Sequence, residues 1–322
     1  MFYFLLLEKN TSETVKNHTA LAEFYLETFN ISTKGQLVVF IGVLLMYLLA
    51  VLGNIIIITL VSLVSQLHTP MYLFLYSLSV QDIMNVSAIL PKLLAITFTG
   101  DTSITFSGCI TQIFLYTFCV DTEFLLLASM AYDRYVAICI PLHYSLIMSK
   151  TMCALLITVS WFVCFLNSFS VTMMVSYLTF CNKQKINNFF CDLIILLKLS
   201  CSDTTYIITL LVPLEGSILG LLPFTLIMIS YIYIISTILK IKSSSGRLKT
   251  FSSCSSHLTV VVLFWGTCVG LNLKPKSGNS LEIDKVLSII YTGVVPMLNP
   301  LVYSLRNKEV LEAMKSVLKR MN

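Results

Sequence analysis

Asp133 and Arg134 stand side by side in MAYDRYVAIC (130–139), an acid and a base between apolar neighbours. Such a pair can hold a charge-assisted contact, and a guanidinium released from it offers a planar fork of donors to the backbone carbonyls of a partner. The same two residues also suit the edge of an apolar helix, where an arginine snorkels toward the polar medium. Four more acids, Asp82, Asp121, Glu123 and Glu215, fall inside apolar runs. An Asp at the centre of a membrane helix costs about 2.5 to 3.5 kcal/mol, so these side chains suggest cation binding, ligand recognition or a protonated polar network. Asp121 and Glu123 are two residues apart, about 200° around a helix, and cannot serve one cluster.

Helices crossing a membrane must position these groups. The chain has 322 residues, 57% hydrophobic and 11% charged, with a mean hydropathy of +0.86, which leaves too little polar surface to cover a soluble globule. A bilayer core about 30 Å thick needs about 20 mostly apolar residues per helix. Seven such stretches occur, near 37–64, 70–97, 107–138, 151–178, 206–240, 250–273 and 285–305. The fold class is therefore an all-α membrane protein, a seven-helix transmembrane bundle. Residues 307–320, NKEVLEAMKSVLKR, place Val310, Leu311, Met314, Val317 and Leu318 on one face with bases opposite, a short amphipathic helix suited to the inner leaflet. The expected division is a tail over 1–36, a seven-helix domain over 37–306 and an amphipathic helix with its tail over 307–322. No internal repeat or inverted symmetry is visible, and no loop is long enough to fold alone.

Sequons and cysteines indicate the orientation. The opening MFYFLLL is too short to span and lacks a basic front, so no cleaved signal is expected. Asn10, Asn17 and Asn30 each begin a glycosylation sequon, which places the tail outside; the match at Asn85 lies within the second apolar run and is discounted. With the tail outside, eleven Lys and Arg fall inside and ten outside, so the positive-inside rule does not decide. Cys119, Cys139, Cys153, Cys164, Cys254 and Cys268 lie within or at the inner ends of the runs, as small hydrophobes. Cys109 opens the third run, and Cys181, Cys191 and Cys201 share the loop TFCNKQKINNFFCDLIILLKLSCSDTT. That loop holds no histidine and faces an oxidising compartment, so disulfides are favoured over metal, with three pairings open.

MAYDRYVAIC followed by PLHY (141–144) resembles the inner end of the third helix of olfactory receptors, a family of rhodopsin-like G-protein-coupled receptors. Six further signatures agree in order: Gly53 with Asn54, LHTPMYLFLYSLSVQD (67–82), Pro91 with Lys92, Ser230 with Tyr231, KTFSSCSSHLTVV (249–261) and PMLNPLVYSLRN (296–307). The resemblance implies a plasma-membrane receptor, tail outside and carboxyl terminus in the cytosol. It would bind a small, mostly apolar odorant and activate a stimulatory olfactory G protein, raising cAMP. It assigns the switch to Asp133, Arg134 and Tyr135, with Tyr231 and Tyr303 steadying the open form. It also pairs Cys109 with Cys191, and Cys181 with Cys201. Asp82 and Glu123 match family acids that resemble a sodium site, with Asn54 and Asn299 as neighbours; no other cofactor is expected.

Matched positions line the pocket with Tyr116, Thr117, Val120, Cys268, Val269, Ile289 and Thr292, mostly apolar walls suited to a volatile molecule. Asp121 faces the fifth helix and Glu215 lies at pocket depth on it; the pair suggests a ligand bearing a hydrogen-bond donor or a cationic amine, or else a protonated structural pair. Trp265, in FWG, and Asn272 depart from the family's usual FYG and aromatic. An aminergic receptor is disfavoured because Tyr116 stands seven residues after Cys109, where its aspartate would be. A transporter or channel would show broken helices, repeats or a polar ring. An enzyme is least expected: His68, His143 and His257 fall at inner helix ends, as capping or loop residues, and His18 belongs to a sequon. No nucleic-acid partner is implied.

Overall fold

The computed structural model describes residues 23–29, 31–181, 185–272, 280–305 and 308–321. The sequons at Asn10, Asn17 and Asn30 and the residues Arg306 and Asn307 lie outside them. Six helices are long and apolar enough to cross a membrane, and a seventh is bent by 48° between Ser244–Ser252 and Cys254–Gly270. They are α1 (Thr33–Leu63), α2 (Pro70–Thr99), α3 (Phe106–Cys139), α4 (Lys150–Ser176), α5 (Ile207–Lys240), α6 (Ser244–Asn272) and α7 (Ser280–Ile289, a π-turn over Ile290–Val294, then Val295–Leu305). An amphipathic α8 (Lys308–Met321) follows and buries Val310 and Ala313 in the main core cluster. Its apolar face is therefore spent at least in part on the bundle.

Local chemistry sets the helix ends. Ser32, Thr105 and Ser149 cap α1, α3 and α4, each side chain accepting from an N–H three residues on. Pro70 opens α2, and Gly100, at φ 75°, closes it in the left-handed conformation that glycine tolerates. α5 is interrupted by π-turns at Ile207–Leu211 and Gly216–Leu221, with Glu215 in the α-helical turn between them. α6 begins six residues before the apolar run found in the sequence, because SSGRLK is polar and carries no hydropathy signal.

The tail supplies a strand that the sequence did not announce. β1 (Glu23–Leu26) pairs antiparallel with β2 (Ser103–Thr105) before α3 and parallel with β3 (Lys185–Ile186) in the loop between α4 and α5. Phe24 and Leu26, the inward residues of EFYL, are 0% and 1% exposed and pack with Cys109, Ile186 and Cys191. On α7, Lys285 donates to the Thr28 carbonyl at 3.0 Å, and its ammonium lies 5.9 Å from the Phe29 ring centre. In the turn before β2, Asp101 accepts from Ser103 N–H at 2.9 Å, which holds its carboxyl below the usual range. The sheet and both disulfides share the end of the bundle where α2 stops and α3 starts. Cys109 is bonded to Cys191 and Cys181 to Cys201, with Cα separations of 5.4 and 6.1 Å. The other six cysteines form no disulfide.

Two glycines permit close approach of α1 and α7. A Cβ on Gly293 would overlap the Met46 side chain, and one on Gly53 would lie 2.8 Å from Pro300 Cγ. Gly53→Val is expected to force α1 from α7 at a cost of about 1 to 3 kcal/mol, typical of overpacking. Less receptor at the cell surface and earlier thermal unfolding in detergent than wild type would register the effect; unchanged values would show that the contact yields.

Candidate functional site

At the disulfide end, Phe189 and Phe190 leave the loop between α4 and α5 and bury completely, at 0% and 1% exposure. Phe190 meets Tyr116 of α3 at 5.1 Å between ring centres. Aromatic contacts continue inward from Tyr116 to Tyr291 (6.1 Å), Tyr291 to Phe264 (5.4 Å), Phe264 to Phe124 (4.7 Å) and Phe124 to Trp265 (4.9 Å). Phe224 of α5 closes on Trp265 at 4.2 Å. Tyr116, Val120, Trp265 and Cys268 pack on the main core cluster, and Ile289 on the cluster that holds Phe190. Thr292 is buried and spends its hydroxyl on the Ser288 carbonyl; Thr117 is half-buried. Val269 follows one turn after Trp265 on α6 and is 44% exposed. The side chain of Asn272 is outside the described residues.

Two apolar crevices open outward beside α4. One, of about 700 Å³, is lined by α2, α3 and α4 residues including Phe118, Trp161 and Phe165. The other, of about 530 Å³, runs between α3, α4 and α5 past Tyr132 and Tyr233. Neither includes a residue that the sequence assigns to the ligand pocket.

The buried acids separate into two groups. Asp82 receives Asn299 Nδ2 on both oxygens, at 2.9 and 3.2 Å, and Glu123 Oε2 receives Gln81 Nε2 at 3.3 Å. Asn54 donates instead to the Ala50 and Pro296 carbonyls, at 2.9 and 3.1 Å. Asn54 Oδ1 and Glu123 Oε1 have no protein donor. These two oxygens, with the Asp82 carboxylate, are hard ligands of the kind a monovalent cation takes. Among the described residues no group of three or more His, Cys, Asp or Glu could hold a metal ion.

Asp121 and Glu215 are joined by a residue the sequence reading missed. Asn167 of α4 donates one amide proton to Asp121 Oδ2 at 2.9 Å and the other to Glu215 Oε1 at 2.7 Å. Both protons of its nitrogen are used, so a single amide ties α3, α4 and α5. Gln112, also missed, ties α3 to the Ala88 carbonyl of α2 at 2.9 Å and to the N–H of Cys191 at 2.8 Å.

At the opposite end, Arg134 Nε lies 3.4 Å from Asp133 Oδ2, too poorly aligned for a hydrogen bond. Adjacent residues on a helix point about 100° apart, so the pair is close without being well aimed. Asp133 is held better by Tyr144 of PLHY, whose hydroxyl donates to Oδ1 at 2.8 Å. Tyr135 packs against Tyr233 of α5 at 5.8 Å. The Tyr231 hydroxyl meets His257 Nδ1 at 2.7 Å, and His257 Nε2 contacts the Leu127 carbonyl at 3.1 Å. His257 is thus a fully buried bridge between α3, α5 and α6, not a capping or loop residue. The early start of α6 puts it well inside the helix, where a polar ring needs partners. His68 does cap, meeting the Val61 carbonyl at 2.9 Å, and His143 is exposed. Tyr303 is buried with an unpartnered hydroxyl.

A family profile described as olfactory receptor matches residues 43–321, most of the chain. The chain belongs to the olfactory receptor family. Olfactory receptor 1496 of Rattus norvegicus is 46% identical over 94% of this chain and 98% of its own length. Olfactory receptor 1E16 of Mus musculus is 46% identical over 94% and 96%, and Olfactory receptor 1J4 of Homo sapiens 45% identical over 95% and 97%. This olfactory receptor is a multi-pass membrane protein and a receptor rather than an enzyme. The matched region includes both ends of its bundle, from the Phe190 roof to the Asp133, Arg134 and His257 group.

Proposed function

We propose that this olfactory receptor binds a small volatile ligand under the Phe190–Tyr116 roof and activates a stimulatory olfactory heterotrimeric G protein, raising cAMP. The observation that carries the reading is the loose hold on Arg134. Its Nε has no hydrogen-bond partner, its side chain is 20% exposed, and Asp133 is anchored elsewhere, by Tyr144. A small shift of the inner helix ends is therefore enough to present the guanidinium to a partner's carbonyls. Tyr231 and His257 couple α5 and α6 at this level, and Tyr303 has a free hydroxyl to contribute to the open arrangement. The aromatic contacts from Phe190 to Trp265 give a ligand in the upper bundle a packed route to α6. Expressing the receptor with the olfactory G protein and screening a broad odorant panel for cAMP tests this; the absence of any ligand-evoked cAMP from surface-delivered receptor counts against it.

On this reading the amino terminus, with Asn10, Asn17 and Asn30 glycosylated, is extracellular and the carboxyl terminus cytoplasmic, in the plasma membrane. A sodium ion would be held by Asp82, Glu123 and Asn54 with Asn299 beside them, neutralising the carboxylates and favouring the closed arrangement.

The Asn167 bridge favours a structural role for Asp121 and Glu215, and their surplus acceptors suit a ligand with a donor or a cationic amine. Asp121→Asn combined with Glu215→Gln separates the two. If the pair contacts ligand, potency for amines and alcohols falls at least about tenfold, as loss of a charge-assisted bond of 1.5 to 3 kcal/mol implies. If it is structural, surface expression falls and the ligand profile stays as it was.

A further inference from the structure

Asn85, Glu123 and Tyr291 are 0%, 1% and 1% exposed, yet between them carry four side-chain atoms with no partner in the protein: Asn85 Nδ2 and Oδ1, Glu123 Oε1 and the Tyr291 hydroxyl. A buried polar atom without a partner is costly and rare in a native core, so a group of them needs a reason.

Helix register places them together. Gln81 is level with Glu123, and Ala88 with Gln112, as their hydrogen bonds show. Asn85 lies between Gln81 and Ala88 on α2, so it is level with the turn of α3 that bears Tyr116 and Cys119. It is three residues from Asp82, which faces α7, and four from Gln81, which faces α3; it therefore points between those two helices. The π-turn of α7 brings Tyr291 to the same level, its ring against Tyr116 and Phe264. The Tyr116–Phe190 ring contact lies on the disulfide side of this level, and the Asp82–Asn299 pair one turn of α2 away on the other side.

The donors and acceptors select the ligand. An ammonium only donates and would leave Asn85 Nδ2 without a partner. An ether or carbonyl only accepts and would leave the Tyr291 hydroxyl as the one donor for two acceptors, Asn85 Oδ1 and Glu123 Oε1. A hydroxyl does both, and no anion suits a wall that includes Glu123.

We propose that Asn85, Glu123 and Tyr291 form a polar subsite between α2, α3 and α7 that takes the hydroxyl of an alcohol ligand, with its hydrocarbon chain against Tyr116 and Phe190. This rests on the ligand-receptor reading above but concerns a face of α3 opposite Asp121.

The test uses full-length receptor and three probe series of six to ten carbons: primary alkanols, their methyl ethers and the matching primary amines. Alkanols are expected to be the most potent at evoking cAMP. Tyr291→Phe and Asn85→Leu should each raise the alkanol concentration for half-maximal response about tenfold, as loss of one neutral hydrogen bond to the ligand hydroxyl implies. Both should leave ligand-free thermal stability equal to or above wild type, since each removes unpaired buried atoms. Equal potency of alkanols and methyl ethers, failure of alkanols while other odorants work, or unshifted alkanol responses in both variants would overturn the subsite. So would reduced ligand-free stability in both variants, which would mean that buried water, not ligand, satisfies these atoms. Silence toward every odorant tried would instead strike the receptor reading itself.

Discussion

Arg134→Ala is expected to abolish ligand-evoked cAMP while leaving delivery to the cell surface unchanged. The two outcomes separate because of how the side chain is held. Arg134 makes one ion-pair contact at 3.4 Å and no hydrogen bond through Nε, whereas Asp133 keeps its 2.8 Å bond from Tyr144 whether or not the arginine is there. Removing Arg134 therefore leaves Asp133 buried but still hydrogen-bonded, a smaller penalty than the 3 to 5 kcal/mol typical of breaking a fully buried ion pair. Signalling has no such reserve if the guanidinium is the group that meets the partner's carbonyls. Flow cytometry of a tagged receptor beside cAMP measurement distinguishes the two. Wild-type cAMP from the variant would remove Arg134 from the coupling surface; loss of surface receptor would make its role structural.

Cys191→Ser is expected to have the larger effect on folding, and a larger one than Cys201→Ser. The Cys109–Cys191 bond closes a sequence separation of 82 residues and the Cys181–Cys201 bond one of 20. Chain entropy assigns these closures about 4 to 5 and about 3 kcal/mol, the first an upper bound here because α3 and α4, which it encloses, remain helical in the bilayer when tertiary contacts are lost. The first bond also carries more than entropy. Cys191 N–H is accepted by Gln112, and the residues just before it are Phe189 and Phe190, which cover the proposed ligand site. Its loss should release both rings, so surface receptor falls steeply and the remainder shows weakened ligand responses. Non-reducing peptide mapping together with surface counts checks this. Equal losses for the two variants would show that the roof is held by packing alone.

The helical spans were legible in the sequence because hydrocarbon imposes a length and a composition on anything that crosses it; the run at 70–97 became Pro70–Thr99. Where polar residues continue a helix, as in SSGRLK at the start of α6, hydropathy was silent, and His257 was misplaced to a helix end as a result. β1 was hidden for another reason. Four alternating residues, EFYL, are too short to stand out, and their partners lie about 80 and 160 residues further along the chain. The charged members of the site could be found singly, since an ionisable residue at membrane depth is conspicuous. Their partners could not, because Asn167, Gln112 and Tyr144 are ordinary until the bundle brings α4 to Asp121 and Glu215, or the loop after α3 back to Asp133.

Nucleotide exchange on a purified stimulatory olfactory heterotrimer, with the receptor in lipid nanodiscs and an odorant found by the screen, tests the central claim most directly. The account predicts that the odorant accelerates GTP uptake by wild-type receptor and that Arg134→Ala binds the same odorant without accelerating uptake. Odorant binding with no change in wild-type exchange, or equal acceleration by both proteins, would contradict it.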